Sequence, residues 1–390
     1  MINFHDRLDY LLKHNKVVLF LYQNLVSLCF RFMGLFIKRD PYLVLFTSFG
    51  GKKFNDSPKI LFERIKQDKR FSGYRLVWAF VEPDKFNIPG MDKVKIDTLS
   101  YFKTALKASI WITSVNIERG LSFKPKNTIY IHTWHGAGTK KIGNACDGCN
   151  YEDFSDVDMM LVQSEFEKDI FIRYFNCTDE SIRKIGFPRN DELFHITNTI
   201  RVKCRKELDI PEGKKVILYA PTWRDSKDGG LSYRVEPPMN LEKWKERFGA
   251  EYVILFRMHP YTTIFNMKYD EFARDVTNFD NLNHILAVTD VLITDYSTIV
   301  YDSAVARIPF ICFGFDYERY YKERGFFFDL NDVYPGGVLH TEDEVMDRIG
   351  QLQKEGFGLE YEAFRNKYIE AGGNSTNQIL DELYLRLQNE

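Results

Sequence analysis

The 390-residue sequence predicts an α/β protein of two doubly wound domains that face a cleft, preceded by an amphipathic helix. From residue 41 onward, short apolar runs rich in β-formers alternate with amphipathic stretches, which is the pattern of βαβ units with a parallel sheet. A polar, charged stretch at residues 198–215 interrupts the alternation, which then starts again. We therefore predict an N-terminal segment at 1–39, domains at 40–200 and 201–375, and a last helix at 376–390.

The N-terminal segment is expected to associate with a membrane surface. Residues 17–37 resemble a membrane span, for which about 20 apolar residues suffice. Gln23 and Arg31 share one side of the helix, and burying Arg31 in lipid would cost about 3 kcal/mol. A helix in the interface would bury Phe20 and Phe32 instead and leave the polar side in water. A core helix and a signal peptide are the alternatives, although no small-residue cleavage site follows. Basic residues suited to anionic head groups flank the helix: Lys13, Lys16, Lys38 and Arg39.

Each domain has its own set of predicted strands. They fall at 42–47, 74–80, 110–113, 128–132 and 159–162, and then at 216–220, 252–258, 290–294 and 309–313. These runs are apolar on both faces, as buried parallel strands are. Residues 57–68 and 164–174 have helical periodicity, and Ser57 followed by Pro58 is typical of a helix start. Ligands of such sheets bind beyond the carboxyl ends of strands, so we expect the chemistry in the loops that follow them.

Composition excludes several classes of function. The net charge of −2 and the pI of about 6.5 give no field that would hold a nucleic acid. The six cysteines are scattered, which indicates a reducing compartment, and the pair Cys146 and Cys149 lacks the second pair that a zinc site needs. Asp156 and Asp158 run into a strand and are expected to be structural. The sequence predicts no metal site, and a Mg²⁺ ion shared with a diphosphate stays an alternative.

A polar, glycine-rich loop follows the predicted strand at 128–132. His135 in this loop can act as a general base near pH 7. Gly136 lets backbone N–H groups approach an anion, and Lys140 and Lys141 add positive charge. The alternative for His135 is a hydrogen-bonded structural histidine beside an ordinary turn. We expect that structural role for His132, which lies inside the strand.

Two strand ends of the second domain carry cationic groups suited to a phosphate. Arg224 follows the first strand and can bind a phosphate with two hydrogen bonds, the alternative being a surface ion pair. Arg257 and His259 follow the second strand and, two residues apart, share one face. An imidazole N–H can donate to a phosphate oxygen.

The third strand end predicts an anion site at a helix start. Ser297 or Thr298 can cap the helix, whose free N–H groups and dipole suit a diphosphate. Asp302, one turn later, can reach a ribose hydroxyl. An ordinary capped helix would have the same pattern, so the signal lies in the combination of four polar loops across two domains.

Five short motifs, taken together, resemble the CDP-glycerol glycerophosphotransferase family. They are WHG at 134–136, GFPRND at 186–191, PTWR at 221–224, RMHP at 257–260, and TDYST at 294–298 with Asp302. They occur in the family's order over about residues 40–375. The resemblance implies two Rossmann-like domains in a GT-B architecture. It also implies transfer of glycerol phosphate from CDP-glycerol to a lipid-linked saccharide or polyol-phosphate acceptor, with release of CMP, in teichoic acid or capsular polymer synthesis. Such an enzyme is peripheral, at the cytoplasmic face of a bacterial cell membrane.

The resemblance also implies roles for single residues. His135 matches the base that deprotonates the acceptor hydroxyl, and His259 is the second catalytic residue, matching a ligand of the donor phosphate. Asp302 matches an acidic position near the donor ribose. Donor binding is assigned to Arg224, Arg257, His259, Ser297, Thr298 and Asp302. The acceptor side is assigned to Gly136, Lys140, Lys141 and Arg189.

Some expectations stay open at this stage. After Gly136 the family often has Thr-Pro, whereas residues 137–139 are Ala-Gly-Thr here, so acceptor identity is the least transferable expectation. The large N-terminal region of longer polymerases is not seen, which favours a primase-like or short-chain transferase. CDP-ribitol is the nearest alternative donor. A UDP-sugar glycosyltransferase or 2-epimerase, and a non-catalytic membrane-binding protein, are the alternatives from other classes.

Overall fold

A computed structural model describes residues 15–136, 138–146, 152–222, 238–258 and 269–388. The strands are β1 Asp40–Thr47, β2 Arg75–Phe80, β3 Asp92–Lys95, β4 Ala108–Thr113, β5 Ile129–His132, β6 Met159–Val162, β7 Ile182–Lys184, β8 Lys215–Tyr219, β9 Tyr252–Phe256, β10 Ala273–Asp275, β11 Val291–Thr294, β12 Phe310–Phe313 and β13 Val338–Leu339. They form two sheets, in the orders β3-β2-β1-β4-β5-β6-β7 and β10-β9-β8-β11-β12-β13. Every pairing between these strands is parallel, so the predicted α/β class is confirmed.

Helices cover both sheets. They are α1 Lys16–Gly34, α2 Asp56–Gln67, α3 Leu99–Lys107, α4 Glu165–Phe175, α5 Asn198–Glu207, α6 Leu241–Phe248, α7 Leu282–Val288, α8 Ile299–Val305, α9 Tyr317–Arg324, α10 Leu330–Val333, α11 Glu342–Glu355, α12 Leu359–Tyr368 and α13 Ser375–Gln388. The central strands have no polar face, since residues 43–46 of β1 and 216–218 of β8 are completely buried. In each sheet the strand order reverses beside the first strand, between β1 and β4 and between β8 and β11. Ligands of doubly wound sheets bind at such a switch point.

The start of α2 differs from the predicted one. The helix begins at Asp56, with Asn55 as the N-cap residue, so the prediction that Ser57 caps it with Pro58 at the first helical position is wrong. Asp56 has a φ of 61°, which lets its side chain accept a hydrogen bond from the Ser57 N–H at 2.6 Å. The displaced start turns the Asp56 carboxylate toward the cleft, where it becomes part of the site.

The last helix returns to the first domain. Ile379, Leu380 and Leu383 of α13 are completely buried in the core around the first sheet. Asp191 anchors the helix start, because its carboxylate accepts hydrogen bonds from the backbone N–H groups of Ser375 and Thr376, each at 2.8 Å. The chain therefore crosses between the domains twice, near residues 186–207 and again near 369–375.

Helix α1 packs on the first domain with its polar side inward. Ser27 accepts a hydrogen bond from Ser122 N at 2.9 Å, and Arg31 donates to the Ser122 carbonyl oxygen at 2.7 Å. Phe30 stacks on Phe102 with ring centroids 4.3 Å apart. The expectation that the polar side faces water is therefore wrong, because these groups find partners on the protein.

The apolar side of α1 faces outward. Residues 17–34 are long and apolar enough to cross a membrane, by length and composition, yet only 6% of them are buried. The outward side chains are more than 60% exposed: Val17, Phe20, Leu21, Leu25, Leu28, Phe32, Leu35 and Phe36. An apolar surface of this extent marks an interaction site.

Candidate active site

His135 is held as a neutral base at the carboxyl edge of the first sheet. Its Nδ1 lies 2.8 Å from the Ser114 carbonyl oxygen, which only accepts, so Nδ1 carries the proton and Nε2 keeps its lone pair. Burial lowers the pKa of His135, while the hydrogen bond to Ser114 and the charge of Asp56 oppose that shift. The imidazole also stacks obliquely on Trp134, at 4.3 Å between ring centroids, and faces Phe49 at 5.7 Å. A positioned neutral imidazole with one free nitrogen can accept a proton from a hydroxyl.

His132 has a structural environment. It is completely buried in β5, and its Nδ1 accepts a hydrogen bond from Trp134 N at 3.1 Å. Burial lowers the pKa of His132 to about 3, so the ring is neutral. It supports the turn in which Trp134, with a φ of 51°, redirects the chain to His135.

Gly136 brings the base up to the second domain. Its φ is 145°, and a Cβ at this position would lie 2.9 Å from Thr298 Oγ1. The conformation and the contact both require glycine, because a side chain would be strained and would push the two domains apart. His135 and Thr298 therefore belong to one site, although 162 residues separate them in the sequence.

Arg189 joins the two domains behind this contact. Its Nη1 donates to Asp56 Oδ2 at 3.1 Å and to the His135 carbonyl oxygen at 2.9 Å, and its Nη2 donates to Asp302 Oδ1 at 3.0 Å. The Asp56 and Asp302 side chains are only 5% and 7% exposed. Burial alone would lower the pKa of Arg189, but the two carboxylates raise it, so the guanidinium stays charged. The arrangement fixes the backbone of His135 relative to the second domain.

Asp302 is already engaged in the domain contact. Its Oδ1 accepts a second hydrogen bond from Asn190 Nδ2 at 2.9 Å. Burial raises the pKa of the Asp302 carboxyl, and the positive charge of Arg189 opposes that rise. The structure thus places Asp302 on α8 against the GFPRND segment, and its contact with a donor ribose stays a prediction.

Ser297 and Thr298 lie between β11 and α8, half-buried at the cleft. Thr298 is the N-cap residue of α8 without a side-chain capping bond, whereas the Ser297 hydroxyl accepts a hydrogen bond from Ile299 N at 3.4 Å. Asp295, two residues before Ser297, is buried, and its Oδ1 accepts hydrogen bonds from Thr222 N at 2.7 Å and Tyr296 N at 2.6 Å. These bonds hold the loop that follows β8 against the loop that follows β11.

The two lysines of the His135 loop also cross to the second domain. Lys140 pairs with Phe326 as an antiparallel bridge, and its Nζ lies 3.5 Å from the Tyr320 hydroxyl. Lys141 N donates to the Gly325 carbonyl oxygen at 3.2 Å, and its side chain is exposed. The loop is therefore bound to the end of α9, and the acceptor-side role of both lysines stays a prediction.

The remaining donor-side candidates are only partly visible. Arg224 and His259 lie outside the described residues. Arg257 follows β9, and its Nη1 donates to the Phe279 carbonyl oxygen at 2.7 Å. The guanidinium is partly buried, and this burial lowers the pKa of Arg257.

Several residues of the site were missed from the sequence. Phe49 and Asp56 follow β1, and Ser114 follows β4, so the strand-end rule that found His135 also applies to these two loops. Glu167 was missed for another reason, because nothing in a helical EFEK segment predicts burial. It lies near the Arg189 charge with its side chain buried, and burial raises its pKa to about 8.

The described residues offer little for a metal ion at the cleft. Asp158 accepts a hydrogen bond from Tyr130 N at 2.7 Å and pairs with Lys124 at 3.1 Å, which agrees with a structural role for that pair. Cys204, Glu207 and His284 lie within 4.8 Å of one another on α5 and α7, where His284 Nδ1 and Glu207 form a 2.6 Å hydrogen bond. A metal would have to displace that bond, so this group is a hydrogen-bonded pair beside a buried thiol.

Comparison with known proteins identifies relatives of this chain. The teichoic acid poly(glycerol phosphate) polymerase of Bacillus spizizenii is 30% identical over 96% of this chain and 98% of its own length. The polymerase of Staphylococcus epidermidis is 31% identical over 88% of this chain, and the chain spans only half of that protein. Teichoic acid ribitol-phosphate polymerases match at lower identity or over less of this chain: TarK of Staphylococcus aureus is 27% identical over 90% of the chain, and TarL is 32% identical over only 58%.

Solved structures confirm the fold. The wall teichoic acid polymerase TagF superposes with a TM-score of 0.81 and 29% identity, covering 97% of both chains. UDP-N-acetylglucosamine 2-epimerases share the fold alone, at 9–10% identity and TM-scores of 0.51–0.52. The family model described as CDP-Glycerol:Poly(glycerophosphate) glycerophosphotransferase matches residues 29–385. Matching over nearly its whole length, this chain belongs to the CDP-glycerol glycerophosphotransferase family.

Proposed function

We propose that the protein transfers glycerol phosphate from CDP-glycerol to a hydroxyl group of a lipid-linked saccharide or polyol-phosphate acceptor and releases CMP. The observation that carries the proposal is the neutral His135, whose protonated Nδ1 is held by Ser114 so that Nε2 keeps its lone pair, with Gly136 in contact with Thr298 across the cleft. Membership of the family supplies the donor class. The closer likeness to glycerol phosphate polymerases than to ribitol phosphate polymerases favours glycerol over ribitol.

The reaction is a single displacement at the β-phosphorus of the donor. His135 Nε2 takes the proton of the acceptor hydroxyl as its oxygen forms a bond to phosphorus. The bond from that phosphorus to the CMP oxygen breaks, and the electron pair leaves with CMP. Phosphoryl transfer depends mainly on positioning and charge stabilisation, so groups that face the leaving phosphate matter as much as the base.

The donor phosphates are assigned to the second domain. Ser297 and Thr298 present half-buried hydroxyls beside the base loop, which supports their role as phosphate ligands. Arg224, Arg257 and His259 are proposed companions, and Mg²⁺ shared with the diphosphate stays an open alternative. We also propose the functional division at residues 40–200 and 201–375, with Arg189 on the acceptor side.

The same proposal places the enzyme peripherally at the cytoplasmic membrane face. The support is α1. Its polar side chains hydrogen-bond to Ser122, and its apolar side is exposed. Exposed leucine and phenylalanine side chains of this kind partition into the head-group boundary of a bilayer.

The test is CMP release by the purified full-length protein with CDP-glycerol and CDP-ribitol, on a panel of lipid-linked acceptors. His135→Ala should slow turnover by about 10²–10⁴-fold with donor affinity nearly unchanged, since it removes a base. His259→Ala should weaken donor binding as well. His195→Ala, at an exposed histidine, is the matched control and should resemble the unmodified enzyme.

Each outcome separates the candidates. CMP from one donor, lost in His135→Ala, establishes the reaction and names the donor. Equal loss of donor affinity in the two active-site variants would contradict the division of roles. A folded protein that binds neither donor but is stabilised by a UDP-sugar would belong to the alternative class.

A further inference from the structure

A basic cavity lies at the opposite edge of the first sheet from His135. It has a volume of about 440 Å³ and is lined by Arg39, Lys126, Asp158, Arg386 and residues 127–129. Arg39 precedes β1, residues 127–128 precede β5, and Asp158 precedes β6, so the cavity opens at the amino ends of these strands. The four residues of β5, roughly 13 Å of strand, separate it from the loop that carries His135. The cavity is therefore separate from the proposed catalytic cleft, and its size is within the 300–1,000 Å³ range typical of ligand sites.

Positive charge dominates the cavity walls. The lining residues include three cations, Arg39, Lys126 and Arg386, and one carboxylate, that of Asp158. Arg386 also donates to Glu382 at 2.9 Å, so part of its charge is compensated on α13. The Asp158 carboxylate is compensated from outside the cavity, by Lys124 at 3.1 Å and by the Tyr130 N–H at 2.7 Å. The chain as a whole has a net charge of −2, so this concentration of cations is local. Arginine and lysine around one concave site are the groups that bind phosphate oxygens.

The cavity lies close, along the chain, to the exposed apolar side of α1. Leu35 and Phe36, four and three residues before Arg39, are 78% and 76% exposed. The loop that receives α1 at Ser122 is the same loop that continues to Lys126. One short stretch of structure thus combines side chains suited to acyl chains with cations suited to a phosphate. This order, apolar groups beside a cationic cavity, matches a glycerophospholipid, whose phosphate lies directly above its acyl chains.

We propose that this cavity binds the phosphate of an anionic lipid head group and fixes how the enzyme lies on the membrane. The inference rests on the membrane-surface part of the proposed function and not on the identity of the nucleotide donor. A soluble phosphate or glycerol phosphate has the same binding chemistry. The lipid is favoured because its acyl chains would contact the exposed apolar side chains beside the cavity, whereas a soluble ligand would leave them in water.

The test compares vesicle binding of the full-length protein and two triple variants. Arg39→Gln, Lys126→Gln and Arg386→Gln together neutralise the cavity, whereas Lys203→Gln, Lys206→Gln and Lys354→Gln remove the same charge from exposed positions elsewhere. Cosedimentation is measured with phosphatidylcholine vesicles alone, with 20 mol% phosphatidylglycerol, and with 20 mol% oleate, whose charge is a carboxylate. Each cation near the surface contributes about 1 kcal/mol, or about fivefold. The cavity variant should therefore bind phosphatidylglycerol vesicles about 100-fold more weakly, and the control variant within about threefold of the unmodified protein.

Three results would overturn the proposal. Equal losses in the two triple variants, or equal binding to oleate and phosphatidylglycerol vesicles, would show attraction to negative charge in general. Unchanged binding by the cavity variant would show that α1 suffices. Calorimetric binding of glycerol phosphate that is lost in the cavity variant, without any vesicle binding, would show a soluble ligand.

Two further measurements keep these outcomes interpretable. Lys126→Glu alone, at an exposed side chain, should fold normally and still weaken binding to phosphatidylglycerol vesicles, so a misfolded triple variant does not decide the matter. CMP release in solution is measured on the same samples. If no sample, including the unmodified protein, releases CMP, the proposed reaction is refuted. Vesicle binding tests the cavity independently of that result.

Discussion

Replacing Arg189 with methionine should destabilise the contact between the two domains far more than a surface change would. Methionine keeps an apolar stem but removes the charge that lies between Asp56 and Asp302, whose side chains are 5% and 7% exposed. Removing one partner of a buried ion pair costs about 3–5 kcal/mol, since the other charge is left uncompensated. We expect the free energy of local opening around residues 186–195 and α8 to fall by about this amount.

Hydrogen exchange measured by mass spectrometry is the suitable assay, because two cores need not unfold together and exchange reports local opening. The matched variant is Asp302→Asn, alone and combined with Arg189→Met. Asparagine at 302 removes one of the uncompensated charges, so the double variant should be less destabilised than the sum of the single variants. We expect a coupling energy of about 1–3 kcal/mol.

Additive effects within about 0.5 kcal/mol, or a cost below about 1 kcal/mol for Arg189→Met, would refute the reasoning. Either result would mean that the pair contributes no more than an exposed salt bridge. Exchange of the peptides in α11, remote from Arg189, is the internal control and should not change.

Four further predictions follow from the geometry. Gly136→Ala should lower turnover at least tenfold and also weaken donor binding, because a Cβ would meet Thr298 Oγ1, a proposed ligand of the donor phosphate, at 2.9 Å; equal turnover would contradict the close contact. The acidic limb of the kcat/KM profile should have an apparent pKa below 6.5, since burial lowers the pKa of His135, and a limb above 6.5 would argue for another base. Burial raises the pKa of Glu167 to about 8, so the folded state binds an extra proton between about pH 4.5 and 8 and stability falls as pH rises through that window. Glu167→Gln lacks this titration, so the difference in free energy of unfolding, variant minus unmodified protein, should increase as pH rises. A difference in urea titrations that does not change with pH would refute this. Asp191→Ala should cost about 1 kcal/mol by uncapping α13, seen as faster exchange in residues 375–380 but not in α4.

The central strands were predictable and the edge strands were not. All nine predicted strands are present, with ends shifted by one or two residues in most cases. The four missed strands, β3, β7, β10 and β13, are the outer strands of the two sheets and have two to four residues each. Outer strands have one exposed side and few apolar residues, so periodicity gives no signal for them.

The site was predictable where it follows a strand and hidden where it depends on contacts between domains. His135, Ser297 and Thr298 were found because polar residues after buried strands meet at one edge. The partners of Arg189 were not found, since nothing in sequence order relates Asp56, Arg189 and Asp302. The predicted orientation of α1 was wrong for the same reason. Its polar side hydrogen-bonds to Ser122, which lies 91 positions from Arg31 in the sequence.

The outward-facing apolar side of α1 bears on the distance between the active site and a membrane. Gln23 lies 3.4 Å from the Cβ position of Gly120, Arg119 lies 3.6 Å from that of Gly50, and the neighbouring Phe49 ring faces His135 at 5.7 Å. Three consecutive contacts thus connect the helix to the base. In the proposed orientation, with α1 in the bilayer surface, these contacts hold the His135 loop at a fixed distance from the membrane. A product that lengthened by repeated transfer would then have to return its free end to that same distance from the membrane for each addition.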